Sequence, residues 1–171
     1  MDAQAAIFDL IEHVAGAVPV VFRDENGKRP AKPYIALKVT AARRARVHLG
    51  RLNEDGRQEV SAHREAGVEL QYFGADAFAA LDDLSLRLSF PGTVDFANSL
   101  DLAVFEVGDV QDIPVPRDNA RFEPRAVLDI RVRYTGTLID DVGIIETVEI
   151  SGTVTNSQTD LPAVAISIVA P

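Results

Sequence analysis

Cysteine is absent from this 171-residue chain. That excludes a disulfide framework, thiolate metal sites and a cysteine nucleophile. It leaves the redox compartment open. No run of residues approaches the apolar length of a membrane span. The opening segment, MDAQAAIFDLIEHVAG, lacks the basic start of a secretory signal. Synthesis and folding in a cytoplasm are therefore expected. Gly-x-Ser-x-Gly, P-loop and Gly-x-Gly-x-x-Gly strings are missing as well, so three common routes to hydrolase, nucleotide and dinucleotide chemistry have no sequence support.

Positive charge is also scarce. The net charge is −9, which opposes tight, static binding to nucleic acid. The distribution is uneven. Residues 23–64 hold eleven basic and five acidic side chains, a net of +6, while the remaining six basic and twenty-one acidic side chains carry −15. Such polarity can align subunits head to tail or stack rings; two solvated faces that differ in charge explain it equally well. Arg43-Arg44-Ala45-Arg46 has no interleaved aromatic, so binding of nucleic acid by stacking is poorly supported.

What is present suits one globular domain. The hydrophobic fraction of 47% and charged fraction of 25% are ordinary, and the length allows a core. Ala3, Ala6, Ile7, Leu10, Ile11 and Val14 form one apolar face of a helix that Asp2 can cap and Gly16 can end. Val18 to Phe22 reads as a short strand, and DENGKRPAKP as a loop. Tyr34 to Leu49 reads as extended chain, with Ile35, Leu37 and Val39 alternating against Ala36 and Lys38. Asn53-Glu54-Asp55-Gly56 is a hairpin turn, since Asp-Gly supplies positive φ.

The return strand, Arg57 to Phe73, has the clearest period of two. Val60, Ala62, Ala66, Val68, Leu70 and Tyr72 point one way, against Glu59, Ser61, His63, Glu65, Glu69 and Gln71. A helix from Ala75 to about Phe90 should bury Phe78, Leu81, Leu84 and Leu88. Pro91-Gly92 stops it, and a short helix through Asn98 can follow. Leu102 to Val107 reads as a strand and Gln111 to Asn119 as a loop. Ala126, Leu128, Ile130, Val132 and Tyr134 mark another strand; Asp140-Asp141-Val142-Gly143 a turn; Ile144, Glu146, Val148, Ile150 and Val154 one face of the last core strand. Thr155 to Asp160 reads as a polar linker. The apolar octet Ala163 to Ala170 must pair, in its own sheet or in a neighbour's.

Helix, strands, helix, strands is the order of an α+β fold: a mixed, mainly antiparallel sheet with two main helices on one side, a long β-hairpin and an extended C-terminal arm. The expected division is 1–154 as the domain and 155–171 as a contact arm. Little chemistry accompanies it. His13, His48 and His63 have no second ligand at metal spacing; His63 and Glu65 share a face, but two ligands make no specific site. Asp82-Asp83 and Asp140-Asp141 read as solvated surface. No catalytic, cofactor or metal residue is assigned, and no cofactor is expected.

PYIALKV (33–39), the Asn53–Gly56 turn, SAHREAGVELQYFG (61–74), RFEPRAVLDIRVRYT (121–135) and DDVGIIETVEISGT (140–153) together resemble the phage neck or tail terminator family over nearly all of residues 1–154. The resemblance implies a non-enzymatic virion protein: a ring, expected to be a hexamer, that caps the tail tube, stops its polymerisation and joins it to the neck. Partners would be other copies, the tail tube protein, a neck or connector protein and, in contractile tails, the sheath. DNA would pass through the lumen without specific binding, and no membrane is involved. Candidate interface residues are Arg43, Arg44, Arg46, Arg51 and Arg57 on the hairpin and Ala163, Val164, Ile166, Ile168 and Val169 in the tail. A head-completion adaptor ring is an alternative within the assembly class; a small α+β ligand-binding domain or enzyme is one outside it, and requires a pocket with convergent polar groups.

Overall fold

The computed structural model describes residues 2–118, 121–143, 147–152, 155–156, 159–160 and 164–169. The first helix, α1 (Ala3–Ala15), begins and ends as its sequence dictates. The Asp2 carboxylate accepts from the amides of Gln4 and Ala5, and Gly16 closes the helix at φ 64°. Its face of Ile7, Leu10, Ile11 and Val14 is buried. Strand β1 (Val20–Phe22) then runs parallel to β2 (Tyr34–Leu52), with Val20 opposite Ile35 and Phe22 opposite Leu37. The loop between them is held by Arg29, which donates to the carbonyls of Phe22 and Arg23.

The turn at Asn53 to Gly56 forms as expected. The Asn53 Oδ1 accepts from the amides of Asp55 and Arg57, and Gly56 takes φ 75°. Strand β3 (Arg57–Phe73) returns, and its alternation is real: Ala62, Ala66, Val68, Leu70 and Tyr72 are all buried. The alternation expected at the start of β2 is blurred. Tyr34 and Ala36 are buried along with Ile35 and Leu37, in part because Tyr34 stacks on Phe73 at 5.0 Å.

Helix α2 (Ala77–Arg87) buries Ala77, Leu81 and Leu84, with Leu88 following. Phe78 is 49% exposed, contrary to expectation. The helix starts later than its periodicity suggests, after Asp76 at φ 54°, and small Ala77 takes the inward position. Pro91 ends one helix by opening another. In α3 (Pro91–Ser99) it sits in the first turn, where a missing N–H costs nothing. Strand β4 (Leu102–Val107) matches its predicted span.

The segment expected as a loop, Gln111 to Asn119, contains two short strands: β5 (Gln111–Asp112) and β6 (Val115–Asp118). β6 pairs with β7 (Arg121–Glu123), in an isolated ribbon with a register shift after Pro116, the kind of edge setting that tolerates proline; Asn119 lies outside the described residues. Strand β8 (Arg125–Asp141) continues past Tyr134, so Asp140 and Asp141 end a strand and do not form the turn. Val142 and Gly143 follow the strand, with Gly143 at φ 76°.

Ile144 and Glu146 lie outside the described residues; β9 (Thr147–Gly152) follows them. The expected linker holds β10 (Thr155–Asn156) and β11 (Thr159–Asp160), paired antiparallel. The last strand, β12 (Val164–Val169), lies beyond residue 154 yet pairs with β9 before it, with Val164 opposite Gly152 and Val169 opposite Thr147. The tail strand thus pairs within its own chain.

The main sheet has the order β1-β2-β3-β8-β4, with β5 added on β8. Parallel β1–β2 and antiparallel β4–β8 and β5–β8 pairs make it mixed. The fold is α+β. The chain forms two compact units, Met1–His48 with Ser61–Thr137, and Leu49–Val60 with Leu138–Pro171. In the first, the helices contact one another and share one core with the inward side chains of the sheet. In the second, the amides of Val142 and Gly143 both donate to the Gly56 carbonyl, at 3.0 and 3.1 Å.

Leu128 is fully buried in that core. Leu128→Ala is expected to lower unfolding stability by about 2–5 kcal/mol, read by urea denaturation. At Gly56 a Cβ would stand 2.6 Å from the Gly143 carbonyl carbon. Gly56→Ala is expected to speed hydrogen exchange at the Val142 and Gly143 amides while leaving the Leu70 amide protected.

Candidate interaction site

The outward face of the main sheet in the first unit is built of ion pairs. Alternation sends Glu65 and Glu69 of β3, and Arg131 and Arg133 of β8, away from the core. Arg133 bonds Glu65 at 2.6 Å and lies over the Phe105 ring at 4.7 Å. Arg131 meets Glu106 at 3.4 Å. Arg23 pairs with Glu69, and Lys32 with Glu123. Lys38 bonds Asp24 at 2.7 Å. The hydrogen bond from Lys38, helped by Arg23, holds the Asp24 carboxyl below the usual carboxylate range. Burial, with Asp76 nearby, raises the Tyr72 phenol.

The hairpin arginines differ. Arg43, Arg44 and Arg46 lie in an exposed stretch of β2 within the first unit; Arg51 and Arg57 flank the turn in the second and are exposed too. None of the five forms an ion pair or side-chain hydrogen bond among the described residues. Exposed Leu49 and Leu52 in the second unit stand in the same strand, and Leu138, Ile139 and Val142 in that unit are exposed as well. The excess of basic residues over 23–64 signalled the arginines. Nothing in the sequence signalled the exposed apolar residues, because a strand buried on one face and a strand awaiting a partner share one pattern. Of the tail candidates, Val164, Ile166, Ile168 and Val169 lie in β12; Ala163 lies outside the described residues.

Depressions exist, but they are shallow and mixed in charge. One, about 430 Å³, lies on the sheet between Thr40, Arg43, Glu65, Gly67, Asp129 and Arg131. A second, about 290 Å³, includes His63, Asn98, Asp101, Arg133 and Thr135. There the Thr135 hydroxyl lies 3.2 Å from His63 Nδ1. Among the described residues no carboxylate accepts from the other ring nitrogen, which a working base needs for orientation. Glu65, expected on the same face as His63, is engaged by Arg133. His13 stacks on Phe96 at 4.2 Å. No group of three or more His, Asp or Glu is placed to hold a metal among the described residues. No described helix is long and apolar enough to cross a membrane.

Fold and side chains together describe an α+β scaffold whose distinguishing feature is charged surface. The family model for phage neck terminator protein matches residues 2–158, and the chain belongs to that family. It is a family of structural neck proteins of the virion and not of enzymes. No curated protein matches the chain.

The Asp24 carboxyl has a folded pKa below its unfolded one. The small stability it adds is therefore complete at neutral pH and is lost as pH falls through the folded value. A carboxyl NMR titration is expected to place its midpoint below that of an ordinary aspartate, and Lys38→Met to raise it.

Proposed function

We propose that this neck protein is a ring subunit, expected to be hexameric, that caps the tail tube, stops its growth and joins tail to neck. The observation that carries the reading is the match to the neck terminator family over residues 2–158. The charge pattern supports it. Arg23, Arg131 and Arg133 are matched by carboxylates within the chain, whereas Arg43, Arg44, Arg46, Arg51 and Arg57 are left without partners among the described residues. The rest of the chain is strongly acidic. Contacts that close a ring are heterologous, one surface meeting a different one, and a basic segment opposite an acidic body fits that geometry. An acidic lumen would repel DNA and let it slide through.

Residues 155–171 act in this reading as a contact arm. β12 with β9 makes a two-stranded ribbon, and such a ribbon can add a further strand from a neighbour at either edge. The tail tube protein, a connector protein and, in a contractile tail, the sheath are the proposed partners. Assembly takes place in the host cytoplasm, and the protein acts without catalysis or cofactor.

Negative-stain microscopy of the purified chain is expected to show rings; a monomer at every concentration overturns the reading. Three exposed pairs at about 0.5 kcal/mol each amount to about tenfold in concentration. Arg43→Glu/Arg44→Glu/Arg46→Glu is therefore expected to raise the ring's dissociation midpoint about tenfold in native mass spectrometry, with unchanged melting of the monomer. Deleting residues 161–171 is expected to weaken assembly while the core of the first unit still melts cooperatively.

A further inference from the structure

Arg64 interrupts the inward series of β3. Ala62 and Ala66 on either side of it are buried apolar residues, and the alternation gives Arg64 the same face. Across the sheet, on β8, stands Gly136. A Cβ there would lie 2.7 Å from Arg64 Nε, 3.1 Å from Cζ and 3.3 Å from Nη2. The guanidinium therefore lies against bare backbone, in a space that any other residue at 136 would fill. Its Nε is buried and has no hydrogen-bond partner. The nearest carboxylate in sequence, Glu65, points to the opposite face and is held by Arg133. Among the described residues Arg64 has no ion pair.

A buried donor without an acceptor is costly, and one on a cation more so. The sealed Nε is out of a partner's reach, but the two Nη nitrogens are not sealed and are free to take one. The planar fork of arginine suits a carboxylate, which accepts two parallel bonds.

We infer that Arg64, seated on Gly136, is an anchor between protomers, and that its guanidinium receives a carboxylate from a neighbouring copy of this chain. The occupant follows from charge: outside residues 23–64 the chain has twenty-one acidic against six basic side chains, so an adjacent copy offers carboxylates in excess. The inference rests on the ring reading above and adds to it a pair of residues with separate roles. Arg64 makes the contact. Gly136 acts through Arg64, by leaving room for it.

The test is a double-mutant cycle read by native mass spectrometry and thermal melting. Arg64→Gln is expected to raise the ring's dissociation midpoint by about thirtyfold or more, the loss typical of a desolvated charge contact. Arg64→Lys, which keeps the charge and loses the fork, is expected to restore little. Gly136→Ala is expected to weaken the ring by displacing the guanidinium, and to have no further effect in the Arg64→Gln background. The Arg64→Gln monomer is expected to melt no lower than the parent. Wild-type rings that the Arg64 variants leave intact overturn the anchor but not the ring. A lower monomer melting temperature with unchanged assembly assigns Arg64 to the fold and overturns the anchor. Intact variant rings that lose retention of a DNA duplex give the guanidinium to phosphate, and overturn it likewise. A wild-type chain that never forms rings overturns both readings.

Discussion

The structure depends on burying one side of two adjacent strands, β3 and β8. Leu70, Val68 and Ala66 of one, and Leu128, Ile130 and Val132 of the other, are almost wholly removed from water. They meet Ile7, Leu10 and Ile11 of α1 and Leu81 and Leu84 of α2 in one cluster. Strand period two and helix period 3.6 supply matched apolar surfaces, and the sheet needs no cover on its other face because that face is ionic. The charged outer face of the first unit is placed by this arrangement.

The placement divides the cations into two populations. Those on the outward face of the first unit's sheet, such as Arg131 and Arg133, have carboxylates across the strand. Such exposed pairs add little stability each, but they leave a surface with few unspent charges. The hairpin arginines and Arg64 lack such neighbours among the described residues. A protein of the neck terminator family must meet several unlike surfaces, and unmatched charge is one way to make those meetings selective, since wrong juxtapositions are penalised.

Much of the fold was legible because its signals are local. Asp2 and Gly16 bracket α1 by hydrogen bonds within one turn, and the Asn53–Gly56 turn is specified by its own four residues. The alternation of β3 held over its inner half. Signals that depend on distant partners were not legible. Phe78 and Ala77 are equally good candidates for the inward position until the start of α2 is fixed by Asp76. Proline marked 111–119 as a loop, although β6 forms there as an edge strand. Asp140-Asp141 looked like a turn because the amides that mark the end of β8 reach a carbonyl nearly ninety residues earlier. The apolar tail had to pair, and sequence could not distinguish β9 from a strand of another copy. In the candidate site, the arginine run was plain and its lack of partners was not. Arg64 showed only as a gap in an apolar series, and Gly136 gave no sign of why it is glycine.

A hairpin turn is ordinarily the place where a lineage inserts or deletes residues at small cost. Here the last carbonyl of the turn holds the amides of Val142 and Gly143, just past the end of β8, and a side chain on Gly56 would collide with the Gly143 backbone. Position 56 is therefore confined to glycine for as long as Gly143 keeps its place. Tags and insertions that elsewhere would be directed to such a tip belong at a different loop of this protein.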